Sequence, residues 1–508
     1  MLCYGFVKRA HFSFDVFLSS CGCCTDYGLH RGFHRGKISG ASTLEGRLYP
    51  WSLYQVATSK RRQAEHFSRR TFLRAGGIPA LGLGLPQLLG SRSVHAAGTA
   101  TAKSCIMLYM IGGPPQHETF DMKPEAEDGV RGEFLPTSTT VPGMQICEHL
   151  PRLAGLAKHY SLIRSVHHDG TFHATGVHYN LTGWKHAPRN GQPLLSRRDW
   201  PSIGGVLQQL EGGRGKLPTA VQLPMWITQD GPGQEWAGQH AGFLGPRYDP
   251  MIMDYKGGRP GTLPPDFVPG AENAGLRFER RVDLLRSLDR GAFSSETPAE
   301  LSVDFFQQEA LGVLRSSPKW QAFCIDDEKP ATRERFGNHH FGRSCLVARR
   351  AVEAGVRLVT VAWPITKEFS HFDTHADNFP TMKKNLPPMD QGISALIEDL
   401  RDRGMLDETL VVCTGEFGRT PTINSNGGRD HWGSVYSTLL AGGGIVGGQV
   451  YGSSDKTGAK PKDNPVHVSD FVATIYHALG YDRNTQVTDF SGRQHFIVPG
   501  HPVMPLFR

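Results

Sequence analysis

Beyond its first 24 residues the chain has no Cys-x-x-Cys pair. It carries no haem-attachment motif, and no dinucleotide fingerprint in the strand–turn–helix setting such a fingerprint requires. Redox chemistry therefore has little support. No apolar run reaches the roughly 20 residues that a membrane-spanning helix needs. There is no internal repeat, and the 60 glycines and 34 prolines follow no Gly-X-Y period, so they mark a loop-rich chain rather than a rod or a solenoid. Acidic residues are scarce only at the front. Residues 1–96 hold 13 Lys and Arg against 4 Asp and Glu, a surplus of nine within a formal charge of +7, so the remainder carries −2. The body of the chain has no bulk electrostatic reason to bind nucleic acid. A hydrophobic share of 39% argues against disorder, and 508 residues suffice for one large α/β domain or two ordinary ones. Of the nine cysteines, Cys3, Cys21, Cys23 and Cys24 lie near the start; the other five are an odd number, so at least one of those thiols is unpaired within the chain. Cys105 and Cys413 sit inside apolar runs and read as inert buried thiols.

The basic front has its own explanation. Ser68-Arg69-Arg70-Thr71-Phe72-Leu73-Arg74 resembles a twin-arginine export signal. A mildly apolar run follows from Ala75 to about Leu89, broken by Gly76, Gly77, Gly82, Gly84 and Pro86, and Val94-His95-Ala96 offers a small-residue cleavage site. The plainer alternative is a basic helix followed by a linker. On the export reading, residues 56–96 are a signal peptide, the partner during export is the twin-arginine translocase, and the mature protein is periplasmic or otherwise extracytoplasmic, with no transmembrane anchor. Residues 1–55 have no periodicity and no purpose in such a signal, and no methionine lies between Met1 and Met107. A gene start set too early, with a non-AUG start near Leu53 or Val56, accounts for them.

From residue 104 onward, strand-like and helix-like segments alternate, which predicts an α/β fold. The runs at 104–111, 356–363, 409–414 and 435–441 read as strands, the first as a fully buried one. Helical spacing marks 342–354, the neighbourhood of Ile393, Leu396, Ile397 and Leu400, and 468–479, which closes at Gly480. Residues 225–300 are dominated by Gly, Pro and charge and read as an insertion or cap in a domain covering 97–508.

Polar clusters trail the strands, where chemistry gathers in such sheets. They are Gln116-His117-Glu118-Thr119-Phe120-Asp121, then His371-Phe372-Asp373-Thr374-His375-Ala376-Asp377, then Glu416-Phe417-Gly418-Arg419-Thr420 and Gly428-Arg429-Asp430-His431-Trp432. A lone His or Asp after a strand is ordinarily a cap or a solvated loop residue. Asp373-x-His375 combined with Glu416 and Asp430-His431 predicts a metal site instead. Mixed oxygen and imidazole ligands suit Zn²⁺ or Mn²⁺, with Mg²⁺ or Ca²⁺ where carboxylates dominate.

These stretches resemble the alkaline-phosphatase and sulfatase superfamily, and the whole chain after the front resembles the export-signal-bearing domain-of-unknown-function family 1501. Leu406 to Gly418 is similar to the superfamily's "LDDTLVVFTSDHG", in which the Asp and His both bind metal; Glu416 keeps the carboxylate and Phe417 replaces the imidazole. Asp430-His431 resembles its later His ligand, and Asp373 with His375 its Asp-x-x-x-His pair at shorter spacing. Pro151-Arg152-Leu153-Ala154-Gly155-Leu156-Ala157, followed by His173 through Thr182-Gly183, resembles the opening "TPNLDRLA" of sulfatases and their nucleophile helix. Ten residues before Gly183 stands His173 where sulfatases have a modified cysteine, and no Cys-x-Pro-x-Arg occurs anywhere, so the formylglycine type is excluded. Gly112-Gly113-Pro114-Pro115 stands where paired aspartates would follow the first strand, which leaves Asp121, with His117 behind it, as the substitute ligand.

The resemblance implies an alkaline-phosphatase-like three-layer sandwich, with a mostly parallel central sheet and helices on both faces. It implies a hydrolase of phosphate or sulfate esters that uses one or two divalent cations, with a small-molecule or glycan ester as substrate. The expected metal ligands are Asp121, Asp373, His375, Glu416, Asp430 and His431. His173 is a ligand, a nucleophile, or a helix-start residue in solvent; Thr171 or Thr175 is the hydroxyl alternative. Arg419, or else Arg429, has the planar fork for a tetrahedral oxyanion. The rival expectation is a non-catalytic binding protein on the same fold, with Trp226, Trp236 and Phe243 stacking on sugars or merely packing.

Overall fold

The computed structural model describes residues 101–186, 194–212, 217–229, 234–255, 259–262, 280, 283–284 and 320–508. Residues 1–100, with the expected upstream extension and signal peptide, and most of the expected 225–300 insertion lie outside the described residues. Among the described residues nine strands form the main sheet: β1 (Ser104–Tyr109), β2 (Tyr160–His167), β3 (Ala220–Leu223), β4 (Met251–Ile252), β5 (Leu358–Ala362), β6 (Thr409–Thr414), β7 (Tyr436–Ala441), β8 (Gln449–Tyr451) and β9 (Val466–His467). Their order is β8-β2-β7-β6-β1-β5-β3-β4, with β9 also pairing β2. Every pairing is parallel except those of β7, which runs against both β2 and β6. The four strands expected from sequence are all here, in one sheet.

Five helices matter for the site: α1 (His173–Thr182), α2 (Ile203–Glu211), α3 (His340–Glu353), α4 (Asn378–Asp402) and α5 (Val468–Ala478). They cover both faces of the sheet, and strand alternation demonstrates it. Met107 of β1 is in register with Val412 of β6, so Met107 and Cys413 point to opposite faces. Met107 lines a small cavity with Leu181 of α1 and Ile203 of α2, whereas Cys413 lies beside Cys345 of α3. β1, β5, β6 and β7 are accordingly buried along their whole length, which is why they read as unbroken apolar runs. All five cysteines among the described residues are free, and burial pushes the Cys105 and Cys413 thiols up to about 12, as inert core thiols require. No helix among the described residues is long and apolar enough to cross a membrane.

Direction explains where the functional loops meet. The carboxyl ends of β2, β5 and β6 share one edge of the sheet, and the reversed β7 starts at that same edge. His173 follows β2, Asp373 and His375 follow β5, Glu416 follows β6, and Asp430-His431 precede β7.

Candidate metal centre

Asp373 is the hub. Its Oδ1 lies 3.1 Å from His375 Nε2 and 3.1 Å from His431 Nε2, and its Oδ2 lies 3.0 Å from His173 Nε2. The two imidazoles of His375 and His431 also meet, Nε2 to Nε2, at 3.0 Å. One ligand atom each from His173, Asp373 and His431 lie within 4.8 Å of one another.

The other nitrogen of each ring is committed. His431 Nδ1 donates to the Thr171 carbonyl (2.8 Å), an acceptor that has no proton to give. His375 Nδ1 donates to Asp430 Oδ1 (2.6 Å), and His173 Nδ1 to Glu416 Oε1 (2.6 Å). Three imidazoles held this way present three Nε2 atoms to one carboxylate, and in the neutral state each of those atoms is a bare lone pair. Lone pairs facing a carboxylate oxygen, and each other, at about 3 Å are repulsive unless protons or a cation sit among them.

A cation fits. With metal–ligand bonds of about 2.0–2.1 Å, neighbouring ligand atoms sit about 3.3 Å apart around a tetrahedral ion and about 3.0 Å apart around an octahedral one. The triangle of His375 Nε2, His431 Nε2 and Asp373 Oδ1 has edges of 3.0 to 3.1 Å. Nδ1 atoms oriented by a carboxylate or a carbonyl are the usual outer support of metal-binding histidines.

The scaffold beneath is rigid. Glu416 is fully buried, and its Oε1 also accepts from Gly112 N (2.8 Å). Its own carbonyl accepts from His168 Nε2 (2.6 Å) and Asn180 Nδ2 (3.2 Å), while His168 Nδ1 accepts from Gly170 N (2.9 Å) and so fixes the tautomer. Gly176 lets α1 approach this carbonyl: a Cβ there would stand 2.7 Å from Glu416 O. Burial alone would lower the His173 pKa, but hydrogen bonds to Asp373 and Glu416 outweigh it and raise it. Burial opposes ionisation of Asp373 too, yet the hydrogen bonds from His173 and His431 and the charge of Arg419 hold its carboxyl far below the usual range. Asp430 is lowered chiefly by the hydrogen bond from His375.

Six expected residues therefore meet at one place: Asp373, His375, Glu416, Asp430, His431 and His173. Glu416 and Asp430 reach it through the imidazoles they orient. His173 is buried rather than in solvent. Three expectations need correction. Asp121 is elsewhere, because its carboxylate pairs with Lys123 Nζ (2.9 Å), accepts from Ser454 Oγ and lies 3.8 Å from Arg164. Thr175 turns its hydroxyl back to the Phe172 carbonyl (2.7 Å), as residues in a first helical turn commonly do. Arg419 is fully buried, donating to the carbonyls of Gly112, Gly113 and Arg429 and to Asp373 Oδ1 (2.5 Å); it steadies the hub and offers no open fork. Arg429 is no substitute, being buried and paired with Glu118 (2.7 Å). Phe417, which replaces an expected imidazole, packs its ring 4.6 Å from that of His431.

Trp236 carried no metal-related expectation, yet it is buried with its indole stacked on His173, centroids 5.1 Å apart at 12°. The stretch around it has no periodicity, so only its aromatic character pointed to anything.

Among solved structures, "Ps i-CgsB" shares 12% identity at a TM-score of 0.38, covering 79% of this chain and 75% of its own. The PsFucS1 sulfatase from Pseudoalteromonas sp. shares 13% at 0.36, covering 76% and 69%. The alkaline phosphatase from the Antarctic bacterium TAB5 shares 14% at 0.31, covering 70% and 96%. No curated protein matches the chain by sequence. One protein family matches residues 102–507, nearly everything beyond the front segment, and the chain belongs to it: the family described as "Protein of unknown function (DUF1501)".

Proposed function

We propose that this protein is an exported, metal-dependent hydrolase of phosphate or sulfate esters, acting in the periplasm or otherwise outside the cytoplasm on a small-molecule or glycan ester. The observation that carries the reading is the convergence of three Nδ1-committed imidazoles on Asp373. Asp373, His375, His431 and His173 would hold a divalent cation, with borderline Zn²⁺ or Mn²⁺ favoured by that donor set. Such an ion would supply polarisation of the ester oxygen and a lowered pKa for a bound water. The protein's own part is orientation: Asp430, Glu416 and the Thr171 carbonyl fix the rings, and Arg419 fixes the carboxylate. The Thr175 hydroxyl is engaged and both His173 nitrogens face carboxylates, which favours water over a side chain as the attacking group.

A second reading, metal-holding without turnover, is favoured by one observation: both arginines able to receive a tetrahedral oxyanion are buried and spent. Elemental analysis of protein folded in its native host, followed by assay on aryl phosphate and aryl sulfate esters before and after chelation, separates the readings. Turnover lost on chelation and restored by metal supports the hydrolase. Bound metal without turnover supports the second reading, and protein that takes up no metal overturns both.

A further inference from the structure

We infer that Trp236 is a positioning residue for the metal centre, a preformed wall that holds the His173 ring in ligating orientation. This inference rests on the metal reading above and extends it to a residue of the loop between β3 and β4. The indole lies nearly parallel to the His173 imidazole, at 12° and 5.1 Å, and the residue is fully buried. His173 opens α1, and its ring is also flanked by His431, edge-on at 4.3 Å, and by Phe417 at 5.0 Å. Its two carboxylate contacts hold it within its plane. The flat indole restrains rotation out of that plane and keeps water from that face.

The loop that carries Trp236 is itself braced. Gln239, buried to 1% exposure, accepts from Ile227 N (2.7 Å) and Gln222 Nε2 (2.9 Å) and donates to the carbonyls of Ile227 and Trp236 (2.9 Å each). Residue 238 adopts φ +92°, and a Cβ there would stand 2.6 Å from His178 Cα, so only glycine lets the loop seat against α1 five residues beyond His173. Four polar contacts and one close backbone approach thus fix the segment around Trp236, whose indole rests on His173. Order of this kind is what keeps a site within the tolerance that ligation demands. The wild-type protein should therefore bind metal more tightly than one in which His173 is free to turn.

The test compares the wild type with Trp236→Ala, Trp236→Phe and Gly238→Ala. Zn²⁺ affinity is read by competition with a chromophoric chelator, and the visible absorption of the Co²⁺ form reports the ligand set. Trp236→Ala should weaken Zn²⁺ binding about tenfold to hundredfold, the range that outer-shell partners command, and should alter the Co²⁺ spectrum. Trp236→Phe should restore most of the affinity, and Gly238→Ala should shift it in the same direction as Trp236→Ala. Equal affinity and an unchanged Co²⁺ spectrum in Trp236→Ala, with only the melting temperature of the metal-free protein lowered, would make the tryptophan a packing residue and overturn the inference. If Trp236→Ala does not fold, Trp236→Phe and Gly238→Ala decide the matter: wild-type affinity in both overturns it. Failure of the wild type itself to bind Zn²⁺ or Co²⁺ is a different result and sinks the metal reading instead.

Discussion

Replacing Asp373 by Asn keeps shape and removes charge, and the structure assigns two separate costs to that change. The first is felt without metal. Arg419 is fully buried, and among the described residues the Asp373 carboxylate is its one anionic hydrogen-bond partner; the others are the carbonyls of Gly112, Gly113 and Arg429. Stripping one partner from a buried ion pair costs about 3–5 kcal/mol. Asp373 keeps a 13% exposed edge, so the lower figure applies. Unfolding entropy of about 2.1 cal/mol/K per residue over roughly 340 described residues then gives a fall in Tm of about 4 °C. The second cost appears only with metal. Three Nε2 atoms converge on this carboxylate, so its loss should weaken divalent-cation binding by more than about 100-fold, beyond what outer-shell changes do. Scanning fluorimetry of the metal-free protein reads the first cost, and a chelator competition titration at fixed pH reads the second. Asp430→Asn is the control: its 54% exposed side chain should leave Tm nearly unchanged while lowering affinity about 10–100-fold through His375. If Asp373→Asn lowers Tm as expected but binds metal within about threefold of the wild type, Asp373 is only the counter-ion of Arg419, and the reasoning from lone pairs is wrong.

Loading with Zn²⁺ at about 1,000 times its Kd should add about 4 kcal/mol, or about 6 °C in Tm by the same entropy, and a chelator should reverse it; an unchanged melt argues against a resident ion. Acid should destabilise the fold, because burial holds His117 and His178 at about 4 against 6.5 in the unfolded chain. Their contribution is whole above pH 6.5 and is lost as pH falls toward 4, the unfolded chain taking up protons that the folded one refuses, at about 3 kcal/mol each; urea melts at pH 7, 6, 5 and 4 should show it, and a flat profile would contradict it. Arg349, fully buried on α3, pairs with Glu328 (2.6 Å) and Asp399 (2.9 Å) and also contacts Glu353, so Arg349→Ala should cost about 3–5 kcal/mol in urea unfolding; a change below about 1 kcal/mol would mean the network is solvated. Changing Arg69-Arg70 to Lys-Lys should leave the precursor in the cytoplasm, judged by fractionation, and undiminished export would point to another route.

Legibility followed burial. β1, β5, β6 and β7 are covered on both faces, so their sequences are unbroken apolar runs and their bounds were readable to within two residues. β2 was not readable as a strand, because Ser161, Arg164, Ser165 and His167 interrupt it; Ser161 and Ser165 instead hydrogen-bond the Val446 and Asn464 carbonyls within the fold. α4 was readable only in its second half, where Ile393, Leu396, Ile397 and Leu400 repeat. Its first half contains Pro387 and Pro388, which sequence treats as a stop. The helix continues because the interruption faces outward: Lys383, Lys384 and Pro387 are exposed, so water can serve the carbonyls whose helical partners are lost.

At the site, residue type and position after a strand located Asp373, His375, Glu416, Asp430 and His431, since strand direction brings those loops to one edge, whereas His173 was found only through the resemblance of its helix to that of sulfatases. Spacing carries no orientation, and each error there has that origin. Asp121 has the right chemistry after the right strand. In its place, the turn at Gly112-Gly113 brings a backbone N–H to Glu416, and the residues that follow carry Asp121 away to Lys123 and Ser454. Arg419 stands three residues past Glu416, as an oxyanion fork would, but the short ribbon of Gly418–Arg419 with His431–Trp432 turns its guanidinium inward onto Asp373. Sequence therefore located the arginine and misjudged what it serves: its guanidinium is turned inward to secure the carboxylate on which three imidazoles converge, and is not free to receive an anion.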